Sequence, residues 1–192
     1  MKSTGTPDRD TARYGVAGLM AVQAFVGYEW FMSGLAKLWR GGFAAGLANE
    51  LTDKSAGVTG WYRTLLDKTI IPHAWFVGWV VLTAELAIGI SLMGAAIAWA
   101  GRGRRLSRAA WTVTLSLTAT AALAATVLNV AFHLANASPH PWLIPKDGFD
   151  EGVDLDSLLP MVQLVLFAVS ARLLLRSRRT TADTTPTEPE PL

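Results

Sequence analysis

Glu29, Ser33 and Lys37 recur every fourth residue in a stretch that is otherwise mostly apolar. At 100° per residue on an α-helix, all three fall within an arc of about 80°. A second acid, Glu85, is the one charge in another long apolar segment. Asn129 and His133 form an i, i+4 pair in a third, and Gln163 lies in a fourth. A carboxyl group kept from water needs a cation or a hydrogen-bonding partner, or else it holds a proton. Ammonium and imidazole groups can donate to a carbonyl, and the amides of Asn129 and Gln163 can orient one. Charged groups within apolar helices are functional candidates by default, because each costs about 3 kcal/mol to insert.

Simpler roles compete at several of these positions. Lys37 can anchor a helix end at an interface by snorkelling. Asn129 and Gln163 can serve as interhelical hydrogen bonds, and His133 can be solvated near a membrane surface. Gly27 and Gly34 share a face of one helix, and Gly89 and Gly94 interrupt another, as close helix packing requires. Trp30, Trp39, Trp75, Trp79, Trp99, Trp111 and Trp142 fall mostly at expected helix ends, as an aromatic belt does. Glu29 and Glu85 fit none of these roles.

The elements that must hold these residues follow from the distribution of charge. Between Ala109 and Pro145 there is no Lys, Arg, Asp or Glu, which exceeds the roughly 20 residues that cross a hydrocarbon core. The sequence predicts an all-α, integral membrane four-helix bundle within residues 14–175. Its helices lie at about 14–38, 72–100, 109–134 and 157–175. Residues 1–13 and 176–192 are expected as disordered tails. The first helix has the n-region of a signal peptide (Lys2, Arg9, Arg13). Its apolar character resumes after Glu29, however, and no small-x-small site precedes a polar start, so it is expected to be retained. Residues Trp39–Ile71 read as an outer loop carrying short amphipathic helices on the membrane surface. Residues Ala135–Asp156 read as a second outer loop, rich in acid. The basic segments are the N-terminus, Arg102–Arg108 and Arg176–Arg179. They share one side in a four-span chain, and the positive-inside rule makes that side the cytoplasm. Glu29, Ser33, Lys37, Asn129, His133 and Gln163 then share the outer half of the bundle. Glu29, Lys37, Glu85, Asn129 and His133 are expected to converge on one cavity there.

Composition narrows the chemistry. The 192 residues include no Cys, which removes thiolate nucleophiles, Fe–S clusters and Cys-ligated zinc from this chain. A net charge of +2, without a basic stripe interleaved with aromatics, argues against nucleic acid as a partner. No P-loop, GxGxxG, nucleophile elbow or HExxH occurs. The acids Asp147, Asp150, Glu151, Asp154 and Asp156 match no calcium-loop spacing, and no metal site is expected.

Two segments, GYEWFMSGLAKL at Gly27–Leu38 and AELAIGISLMG at Ala84–Gly94, resemble the DoxX/DoxD family of small four-helix membrane proteins. The matching positions are Gly34, Lys37 and Leu38, then Glu85, Gly89 and Gly94. The resemblance covers the first two helices by motif and the remainder by architecture. It implies a multi-pass protein of the cell membrane linked to redox chemistry, similar to the membrane subunit of thiosulfate:quinone oxidoreductase. The cofactor so implied is a quinone, and the partners are soluble redox or sulfurtransferase proteins, with a homo-oligomer as a further option. On that reading His133 or Lys37 donates to the quinone carbonyls, Glu29 or Glu85 handles its protons, and Ser33, Asn129 and Gln163 line the headgroup. The alternatives are a non-catalytic scaffold for soluble redox enzymes, or a pathway for protons or a small solute.

Overall fold

A computed structural model describes residues 9–58, 60–102, 106–136 and 155–182. Every regular element among them is helical. Helix α1 spans Arg9–Arg40 and ends on Gly41 and Gly42, both with positive φ. The Gly41 N–H bonds back to the Lys37 carbonyl at 3.2 Å, so glycine closes the helix where a side chain would be strained. Gly42 then starts α2, Phe43–Ser55.

Helix α3 (Gly60–Leu65) runs through a π turn at Leu66–Ile70 and a 3-10 turn at Ile71–His73 into α4 (Ala74–Arg102). Pro72 explains the irregular turns, because it has no N–H to donate to the preceding turn. The Ile71 N–H reaches back to Leu66 O, and the Ala74 N–H takes Ile71 O. Helical backbone therefore continues from Gly60 to Gly101, 42 residues, or about 63 Å at 1.5 Å per residue. Helix α5 (Arg108–Ala135) opens on Ser107, whose Oγ accepts the Ala110 N–H at 3.2 Å. Helix α6 spans Leu155–Ala182.

Three of these helical stretches are long and apolar enough to cross a bilayer: Gly60–Gly101, Arg108–Ala135 and Leu158–Ser177. Helix α1 is not among them. Tyr14, Val22, Phe25, Tyr28, Met32 and Trp39 point outward and are exposed, whereas Gln23, Val26, Trp30 and Gly34 are buried. Among its polar residues Gln23 is buried, Glu29, Ser33 and Lys37 are half-buried, and Arg40 is exposed.

Helix α1 runs antiparallel along α4, and α5 packs on both α4 and α6. Glycines set the α1–α4 distance. A Cβ on Gly89 would lie 2.5 Å from Phe31 N, one on Gly34 2.9 Å from Leu86 Cγ, and one on Gly27 2.9 Å from Leu92 Cβ. The core between the helices contains Val26, Trp30, Ile88, Leu92, Ala121, Ala125 and Leu159. A second cluster of Leu51, Val58, Leu66 and Ala135 joins α2 and the α3 turns to the end of α5. Tyr62 Oη donates to Ala131 O at 2.8 Å across the same junction.

Several sequence expectations change. The Trp39–Ile71 stretch carries short helices, as expected, and they pack on the rest of the chain. Helix α2 packs against α4, where a Cβ on Gly78 would fall 2.6 Å from Ala44 Cα, and α3 extends α4. Helix α1 begins at Arg9 and α6 continues to Ala182, so the helices run into segments expected as tails. Trp30 belongs to the core and not to an aromatic belt, whereas Trp39, Trp61, Trp75 and Trp79 are exposed. Gly94 meets nothing within 4 Å, so close packing does not account for it. The acidic loop from Asp147 to Asp154 lies outside the described residues, as do residues 1–8 and 183–192.

Candidate functional site

Three of the polar residues singled out by type and spacing meet across the α1–α4 seam. Lys37 Nζ donates to Glu85 Oε1 at 2.7 Å, to Glu85 Oε2 at 2.8 Å and to Ser33 Oγ at 2.8 Å. Ser33 Oγ in turn donates to Glu85 Oε2 at 3.4 Å. The i, i+4 spacing of Ser33 and Lys37 stacks them on one face, and the glycine-lined approach of α4 brings Glu85 within reach. The Gly41–Gly42 turn carries the chain back so that Phe43 caps the group, its ring centroid 5.3 Å from Lys37 Nζ, within cation–π range.

Burial is unequal across the pair. The Glu85 side chain is 1% exposed, and that of Lys37 is 25%. Glu85 is thus held inside the bundle with Lys37 as its link toward the surface. An ammonium has three N–H bonds, and here all three have acceptors. Lys37 therefore has no hydrogen left for a ligand carbonyl while this arrangement holds, unlike the donor role inferred from the sequence.

A second polar contact lies between α5 and α6, where Asn129 Nδ2 donates to Gln163 Oε1 at 3.0 Å. Five of the expected residues thus fall into two hydrogen-bonded groups, Ser33–Lys37–Glu85 and Asn129–Gln163. Glu29 is half-buried and His133 is buried, and each is engaged in an interaction.

The sequence reading passed over Gln23. It is buried, and its Nε2 donates to Leu92 O at 3.0 Å and to Thr118 Oγ1 at 3.2 Å. It therefore ties α1 to both α4 and α5. A scan for charge does not register an amide, but a Gln in the middle of the apolar run Tyr14–Tyr28 was a visible signal.

Among the described residues, two buried side-chain polar atoms have no hydrogen-bond partner, Trp30 Nε1 and Gln163 Nε2. Each unmet buried donor costs about 1–3 kcal/mol. Both are donors, and a quinone headgroup presents carbonyl acceptors with no donor of its own. The donor chemistry of both atoms suits that group; Gln163 is among the residues expected at it, and Trp30 is not. Comparison of the chain with protein-family models, with curated proteins and with solved structures found no match.

Proposed function

We propose that this chain is a four-span protein of the cell membrane, both ends cytoplasmic, acting as the quinone-linked redox component of a complex. The exposed apolar side chains of Val22, Phe25 and Met32 on α1 suit lipid and support the fourth span, with Gln23 buried against the bundle. The observation that carries the redox reading is the ion pair of Lys37 with Glu85, a buried carboxylate set between apolar helices. Its motif residues, Lys37 and Glu85, are also those that resemble the DoxX/DoxD family. A bound quinone supplies a two-electron, two-proton acceptor. Glu85 holds or releases a proton within the bundle, Lys37 balances its charge, and Ser33 fixes the geometry of both.

A scaffold for soluble redox proteins is the second reading. It is favoured by the complete use of Lys37's donors and by the exposed Trp39 and Trp61 beside the α2–α3 cap. Purified protein separates the two. Quinone should co-purify, and thiosulfate-dependent quinone reduction should fall at least about 100-fold in Glu85→Gln, the scale of a lost proton-transfer group. Full turnover in a natively folded Glu85→Gln would move the chain to the scaffold reading.

A further inference from the structure

We infer that Trp30 and Gln163 bind the carbonyl oxygen of an apolar ligand inside the bundle, an inference that rests on the quinone reading for one of its two ligand sources. Gln163 is fully buried, and its amide is half used: Oε1 accepts from Asn129 while Nε2 has no acceptor. Turning the amide over would exchange an unmet donor for an unmet acceptor, so one polar end stays unpaired in either orientation. The indole N–H of Trp30, a side chain only 3% exposed, has no such alternative, because it can only donate.

The two residues belong to the same core. Trp30 clusters with Ala125 of α5 and Leu159 of α6, and Leu128 and Val162 pack against that cluster. Asn129 and Gln163 are the next residues along α5 and α6. The surroundings are aliphatic, which excludes a charged or strongly hydrated ligand. What remains is a neutral, lipid-soluble molecule that accepts hydrogen bonds. A quinone headgroup carries such carbonyls, and so does the ester linkage of a diacyl phospholipid.

Thermal unfolding of the full chain in an alkyl maltoside detergent tests this. Decyl-benzoquinone, a diester phospholipid and the matching diether phospholipid, which lacks ester carbonyls, are titrated separately. Ligand that binds only the folded chain raises its melting temperature. The expected result is a rise with the quinone and at least about tenfold weaker binding in Trp30→Phe and Gln163→Met, the scale of one lost hydrogen bond, each read as the shift from that variant's own unliganded melting temperature.

A rise with diester but not diether lipid, lost in the same variants, would also support the carbonyl site while counting against the quinone reading. Quinone binding undiminished in both variants overturns the site and leaves the quinone reading standing. A parent that responds to neither carbonyl ligand overturns the inference outright, and that arm requires no variant to fold.

Discussion

Removing Lys37 and removing Glu85 should not cost the same. Lys37→Met strips the ammonium from both oxygens of a carboxylate that is 1% exposed, leaving only the 3.4 Å contact from Ser33. Loss of one member of a buried pair costs about 3–5 kcal/mol, and this variant should fall in that range. Glu85→Leu leaves an ammonium whose side chain is already 25% exposed. Its flexible stem can carry the charge outward, and Ser33 and Phe43 remain beside it. The expected cost is about 1–3 kcal/mol. Replacing both residues removes the uncompensated charge altogether, so the double variant should lie within about 1–2 kcal/mol of the parent. Strong coupling between the two positions follows. Reversible unfolding in mixed micelles, followed by far-UV circular dichroism as denaturing detergent is added, gives all four corners of the cycle. If Glu85→Leu costs as much as Lys37→Met, the burial asymmetry is not what governs the pair. If the double variant equals the sum of the singles, the charges do not interact in the folded chain.

Glycine at 89 and glycine at 94 should answer differently to the same methyl group. Gly89→Ala would set a Cβ within 2.5–2.7 Å of three Phe31 atoms and should lower stability by about 1–3 kcal/mol through forced separation of the helices. Gly94→Ala enters open space and should be neutral or stabilising by up to about 1 kcal/mol; melting curves that coincide for the two would refute the assigned α4 faces. On topology, a single cysteine at the exposed Ser107, in a chain that has none of its own, should react with a membrane-impermeant maleimide only after the cells are opened. Labelling in intact cells would invert the orientation.

Charge was the readable part of this sequence. Lys37 and Glu85 were identifiable as a problem because an ion in an apolar helix demands a partner, and the i, i+4 relation of Ser33 to Lys37 specified the third member. The Asn129–Gln163 contact was harder, since either amide alone reads as ordinary interhelical glue. What escaped was decided by tertiary packing. Gly78 looks like any other helix glycine until α2 is laid across it at Ala44, and only that contact turns the segment after Trp39 from a loop into a packed cap. The π turn at Leu66–Ile70 depends on how the backbone reroutes hydrogen bonds around Pro72, which invited a helix start there when the helix begins at Gly60. Trp30 and Gln23 escaped because neither is charged, and their importance comes from burial on the inward face of α1.

The polar residues of α1 also bear on how the chain is made. Lys37 and Gln23 leave the ribosome well before their partners: Glu85 follows Lys37 by 48 residues, and Thr118 follows Gln23 by 95. At about 5–20 residues per second, Lys37 waits roughly 2–10 s for its carboxylate. On the four-span reading, α1 during that interval is a poor candidate for release into lipid on its own, because its ammonium would keep only Ser33 as a partner and its Gln23 amide would lose Leu92 and Thr118. On that reading α1 is expected to stay beside the insertion machinery until α4 arrives, so that the Lys37–Glu85 contact would count in biogenesis as well as in the finished bundle.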